Sequence, residues 1–341
     1  MKSLPVNRRN NKMKRILLAV FTVVCMIALA SCASTEGGKA AAAEELPIAL
    51  ETGGAVQEFK SIESAVRAIP EGGEGVITVK ADTAIKSSIV LGNKTVTIVD
   101  NGSPVVITDK LSEPEGPNFM FVIYGTAKVY VKATAPGNIT FQGAGKSAAN
   151  TSRCMFNVGP QNGDYGDKST AAVLEMTNVT VQGISTTYTG GVARGYGTMT
   201  FTDCVIRDNE TTVNGTFLCM YGKVTINGGE FTNNSNTFSN GGLIQVTNTD
   251  GCELTVNGGY FAGNSGVWGA AINTYAKSKL TIDGATFENN AALDAEGAAV
   301  RTQGTTVIRN STFKGNSPYD ITVKGGNATI DQSVSASKIF K

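Results

Sequence analysis

The chain has 341 residues, 40 Gly, no His, 17% charged residues and a formal net charge of +1. Without His, a Ser-His-Asp or Cys-His catalytic arrangement is excluded, and so is a zinc site built on imidazole. A net charge this small also excludes a strong overall nucleic-acid footprint.

Basic residues crowd the start: Lys2, Arg8, Arg9, Lys12, Lys14 and Arg15. Ile16 to Ala30 is then almost wholly apolar, too short to span a membrane comfortably. Met13-Lys14-Arg15 alone would also serve as a basic start. The apolar run ends in Leu29-Ala30-Ser31-Cys32, which resembles the bacterial lipobox, where cleavage precedes a lipid-modified cysteine. That resemblance implies a signal peptide over 1–31 and, on Cys32, diacylglycerol and an acylated (palmitate-type) amine. Several acyl chains make a durable membrane anchor. Ala33, where Asp would favour inner-membrane retention, allows an outer-membrane destination. Loss of 1–31 removes six of the 29 basic residues and none of the 28 acidic ones, leaving a body of net charge −5. An acidic body argues further against nucleic acid as a partner.

Residues 32–50 are rich in Ala and Gly and read as a flexible tether, leaving 51–341 as one domain. Ser61 to Ile69 reads as a helix: Ile62, Ala65, Val66 and Ile69 form its stripe and Pro70 stops it. It is expected to cover the open end of the fold. Val96-Thr-Ile98, Val129-Tyr-Val131 and Ile139-Thr-Phe141 alternate like strands.

Further on the chain repeats itself, most clearly over 170–335. Met176, Phe201, Ile226, Val256, Ile282, Ile308 and Ile330 lie 25, 25, 30, 26, 26 and 22 residues apart. Five residues after the first six sit Val181, Ile206, Phe231, Phe261, Phe287 and Phe313. The flanks alternate, as in Thr225-Ile226-Asn227, which is the period of a half-buried strand. Short strands broken by Gly and Asn, repeated at this period, predict a stacked β-solenoid rising about 4.8 Å per coil. Asn209, Asn234, Asn264, Asn290 and Asn316 each fall eight residues after a row position. Asp208, Asn233, Gly263, Asn289 and Gly315 precede them, types that tolerate left-handed backbone. The expectation is an inward asparagine ladder, with a structural role, on a right-handed parallel β-helix of nine or ten coils. The alternative is that these Asn mark exposed turns.

The chemistry-bearing residues are sparse. Asp203, Asp208 and Glu210 cluster in sequence, as do Glu288, Asp294 and Glu296. The strand-flanking positions are mostly Thr or Asn, such as Thr200, Thr225, Thr255 and Thr281, which make poor acid/base pairs. No Asp cluster accompanies Arg194, Arg207, Arg301 and Arg309 on a shared strand position. No catalytic residue, cofactor or metal site is therefore expected. The insertion Asn162-Gly-Asp164-Tyr-Gly-Asp167 offers oxygens but lacks the closing Glu of a calcium loop. Cys154, Cys204, Cys219 and Cys252 have no zinc spacing; Cys204 aligns with Gly229 and Gly259 and reads as a buried thiol. Tyr196, Tyr221 and Tyr275 recur 19 or 20 residues after their row positions. They read either as a stacked strip for sugar rings or protein, or as packing between coils. Tyr260 and Trp268 are aromatic positions without a clear face.

Phe-x-x-Asn tetrads alternating with Gly241-Gly-Leu-Ile244, Gly269-Ala-Ala-Ile272 and Gly297-Ala-Ala-Val300 resemble the polymorphic outer-membrane protein repeat, over roughly 170–317. The resemblance implies a surface-exposed β-helix that adheres to a glycan or a host or matrix protein, with the lipid on Cys32 replacing the family's usual barrel anchor. The functional expectation is a non-catalytic outer-membrane lipoprotein for adhesion or ligand binding. The alternatives are a β-helix polysaccharide lyase or glycoside hydrolase, and a structural envelope protein.

Overall fold

A computed structural model describes residues 45–111, 119–145, 154–159, 171–187, 189–212, 215–219, 222–237 and 241–341. Cys32, Tyr221 and the 161–169 insertion lie outside the described residues.

Strands five residues long alternate buried and half-exposed positions, as in Lys223–Asn227 with Val224 and Ile226 inward. One such strand cannot bury its apolar face alone, so the chain coils and lays each strand parallel beside its equivalent in the next coil. The product is a parallel β-helix of stacked sheets. The first sheet has 12 strands, the third 10, the second 9, and a short fourth has 5. In the first sheet Met176, Phe201, Ile226, Val256, Ile282, Ile308 and Ile330 pair in register, as the spacing predicts. In the second, Phe231, Phe261, Phe287 and Phe313 stack ring on ring with centroids 4.7, 4.9 and 4.7 Å apart. Ile244, Ile272 and Val300, which end the Gly-rich tetrads, align in the third. Burying each such side chain contributes about 1.5–3 kcal/mol, so the core is a column whose stabilisation is renewed in every coil.

The N-terminal end is closed by more than the expected helix. β1 (Ile48–Thr52) and β2 (Ala55–Phe59) form an antiparallel hairpin. β1 also pairs antiparallel with β3 (Glu74–Val79), the first strand of the parallel stack. Gly53 and Gly54 both have positive φ, +58° and +79°, as a tight two-residue hairpin turn requires. The boundary expected at residue 50 therefore moves: the folded unit begins at Glu45, because Ile48 and Leu50 are fully buried. Between β2 and β3, α1 (Ile62–Ala68) is capped by Ser61, whose Oγ accepts from Ser64 N. Its stripe Ile62, Ala65, Val66 and Ile69 is buried, as expected. At the other end, Ser335 bridges to Thr312 and Ile339–Phe340 pairs with Tyr319–Val323, adding a last partial coil.

The asparagine column is inward. Asn209 is 1% exposed and Asn234, Asn264, Asn290 and Asn316 are 0%. Each Nδ2 donates to the next Oδ1, at 3.0, 3.0, 2.9 and 3.0 Å down the column. Each of the first four also donates its backbone N–H to that same Oδ1. The column ends where Asn316 Nδ2 donates to Asp320 Oδ1 at 2.9 Å. The residues before the ladder are left-handed, with φ of 55°, 56°, 62°, 54° and 66°. A second left-handed column lies two residues after each of the first six row positions, at Asn178, Asp203, Gly228, Gly258, Gly284 and Asn310. Sequence reading missed it, although every member is Asn, Asp or Gly.

Candidate functional site

The outer face of the first sheet is a self-paired wall. Thr200, Thr225, Thr255 and Thr281 stack in register. On one side Glu253 joins Lys223 at 3.2 Å and Lys279 at 3.1 Å; these bonds, from Lys279 and then Lys223, hold its carboxyl below the usual range. On the other, Asn257 Nδ2 donates to Asn227 Oδ1 at 2.9 Å. These polar groups answer one another along the column.

The sequence-adjacent carboxylates are separated by the fold. Asp208 sits at the left-handed residue before the ladder and Glu210 lies in the fourth sheet. Glu288 is on the second sheet, while Asp294 and Glu296 lie in the bend before the third. Asp294 Oδ1 accepts from Glu296 N, and Glu296 pairs with Lys324. The arginines are also committed. Arg194, 2% exposed, donates to Asn157 Oδ1 at 2.9 Å and covers the Phe119 ring. Arg207 donates to Gln182, Arg309 pairs with Asp283 at 2.9 Å, and Arg301 lies 4.6 Å over the Trp268 ring while donating to Asn273.

Neither described member of the tyrosine strip is exposed. Tyr196 is 3% exposed, packed against Gly159 so closely that a Cβ there would come within 2.7 Å of its ring. Tyr275 is half-buried in a turn, its carbonyl accepting from Ser278. At Tyr196 the packing alternative holds, because the bend after the third strand turns the ring inward.

Among the described residues the exposed aromatic is Tyr260, 38% exposed, on the outer face of the second sheet. It stands in register with Glu230 on one side and Thr286 on the other. Beside it lies an open depression of about 460 Å³, lined by Pro136, Asp203, Val205, Gly229, Glu230, Gly259 and Tyr260. The turn glycines make its floor. Gly229 has φ +86°, and a Cβ there would come within 2.3 Å of the Cys204 carbonyl oxygen. Tyr260 Oη donates to Glu288 Oε2 at 3.0 Å, and Glu288 in turn faces Lys314 at 3.5 Å. The bond to Glu288 pushes the phenol above its ordinary pKa, so the ring stays neutral and its oxygen is fixed. An aromatic face bordered by acceptor carboxylates over a bare backbone floor can stack a sugar ring and accept its hydroxyls. Sequence reading placed Asp203 among candidate acids, but Glu230 was not singled out and Tyr260 had no face. The signal was there: outward positions of the Phe row's neighbours carry Tyr once, beside two Gly-Gly turns.

Among the described residues, no three His, Cys, Asp or Glu side chains group as a metal site. Cys154 and Cys204 are free and buried, and Cys252 is buried. Burial pushes the Cys154 thiol up to about 12 and the Cys204 thiol up to about 11.

A family model described as "right handed beta helix region" matches residues 162–335, just over half of the chain. No curated protein and no solved structure matches.

Proposed function

The chain belongs to the right-handed β-helix family, and from that premise we propose that it is a non-catalytic display protein. It is held by lipid on Cys32 at the outer-membrane surface of a bacterium, and it binds a glycan along its side. The observation that carries the binding reading is the Tyr260 depression: an exposed ring fixed by Glu288, Asp203 and Glu230 as acceptors, and a glycine floor. Support for a non-catalytic role comes from the acids. Glu288 on the second sheet pairs with Lys314, Glu296 before the third pairs with Lys324, and Glu210 lies in the fourth sheet, a placement that spreads these carboxylates rather than facing two of them across one groove. Support for the anchor comes from the Leu29-Ala30-Ser31-Cys32 sequence.

Two experiments test this. Labelled palmitate enters the wild type and not Cys32→Ala; equal labelling of both refutes the anchor. Tyr260→Ala weakens oligosaccharide binding about tenfold, the scale of one lost aromatic contact. Binding that is unchanged in Tyr260→Ala removes the depression from the account.

A further inference from the structure

A second site lies at the N-terminal end of the stack, between α1 and Ile89–Leu91, the first strand of the third sheet. The slot there holds about 200 Å³, below the range of drug-sized pockets and suited to a ligand of amino-acid size. Its apolar wall is Val66, Ile89 and Val90; its polar groups are Glu63, Arg67, Ser88 and Lys94.

Two of those polar groups are already engaged. Ser88 Oγ donates to Phe119 O at 2.7 Å. Lys94 Nζ donates to Val66 O at 3.3 Å and pairs with Glu71 at 3.3 Å. Glu63 and Arg67 are different. They stand four residues apart on one helix, Glu first, the spacing that ordinarily makes an ion pair. Here Glu63 is drawn away. Its Oε1 accepts from Lys86 N at 2.8 Å and Ser87 N at 3.4 Å. Its Oε2, on a residue 6% exposed, has no hydrogen-bond partner among the described residues. Arg67 is exposed and forms no ion pair among them. A buried carboxylate oxygen without a donor is strongly unfavourable. The slot thus carries a carboxylate with one unanswered oxygen and an exposed guanidinium without an ion-pair partner among the described residues, with an apolar wall between helix and strand.

We propose that this slot binds a small apolar amino acid as a zwitterion, its ammonium on Glu63 and its carboxylate on Arg67. The apolar side chain lies against Val66, Ile89 and Val90. An anion alone is repelled by Glu63, and an amine alone leaves Arg67 unanswered, so both ends are needed.

The test is isothermal titration of the purified protein with L-valine, isobutylamine and isovalerate, which share the branched chain and differ only in their charged ends. Saturable L-valine binding is expected, at least tenfold tighter than isobutylamine, with isovalerate weakest. Glu63→Gln keeps an acceptor for Lys86 N but replaces the second oxygen with a donor, and weakens L-valine at least tenfold. Arg67→Ala, on the exposed side of α1, reduces L-valine to the affinity of isobutylamine. The proposal is overturned if L-valine gives no saturation at concentrations of roughly 10 mM, a weak limit on the affinity scale. It is equally overturned if both variants bind like wild type. Should Glu63→Gln fail to fold by circular dichroism, Arg67→Ala alone decides.

Discussion

Asn264→Ala removes one rung from the middle of the ladder. In the wild type its Nδ2 donates to Phe231 O at 2.8 Å and to Asn290 Oδ1 at 2.9 Å. Its Oδ1 accepts from Asn234 N at 3.0 Å and Asn234 Nδ2 at 3.0 Å. Alanine deletes all four bonds. Asn290 Oδ1 keeps the Asn264 N–H and Asn234 Nδ2 keeps Ile206 O. The Asn234 N–H loses the acceptor it had on Asn264, and Phe231 O loses its side-chain donor, both in a fully buried column. Two such losses at about 1–3 kcal/mol each give an expected destabilisation of about 2–6 kcal/mol. Because stability in a solenoid is nearly local, the loss concentrates in the adjoining coils. Urea unfolding reads its size, and native-state hydrogen exchange at Asn234 and Asn264 reads its place. Asn257→Ala is the control, since its bond to Asn227 lies on the exposed first sheet and such substitutions stay within about 0.5 kcal/mol. A loss for Asn264→Ala no larger than the control's refutes the load assigned to the inward ladder.

Other outcomes follow from the same coordinates. Asp100 accepts from Gly102 N at 2.8 Å, Thr134 N at 2.7 Å, Thr134 Oγ1 and Asn138 Nδ2. Burial raises its pKa, but these bonds outweigh burial and hold it below the usual value. Its stabilising contribution is therefore complete above the unfolded value of about 3.9 and is lost as pH falls through the lower folded value. Thermal melts from roughly pH 6 to pH 2 show this loss in the wild type, and Asp100→Asn flattens that part of the profile while lowering stability at neutral pH. An unaltered acid profile in the variant contradicts this assignment. Cys154 and Cys204, with thiols pushed up to about 12 and about 11, resist alkylation at about pH 8 in the folded state and react in urea. Mass mapping of both residues as modified without urea refutes their burial.

How much of this was legible depended on repetition. The Ile and Phe rows and the Asn ladder recur once per coil, and stacking forces recurring residues into register, so spacing alone located them. The β1–β2 hairpin occurs once, beside an Ala-rich stretch that reads as tether. Its signal was the alternation of Ile48 and Leu50 ahead of Gly53-Gly54. Tyr196 shows the opposite case: its spacing recurs, but a bend sets whether a side chain faces in or out, and spacing does not encode the bend, so packing and binding both stayed open until the fold placed the ring inward. Tyr260 belongs to an outward column whose members change from coil to coil, from Val205 to Glu230 to Tyr260 to Thr286. A surface column is free to vary because no stacked core constrains it. The site therefore emerged only when neighbouring coils were set side by side.

The central claim is that this β-helix binds and does not cut. An array of glycans and matrix proteins, probed with the purified protein and with Tyr260→Ala, tests it most directly when each bound polysaccharide is also assayed for new reducing ends. The account predicts saturable glycan binding by the wild type, its loss in Tyr260→Ala, and no new reducing ends. Silence on the array together with measurable polysaccharide cleavage contradicts it.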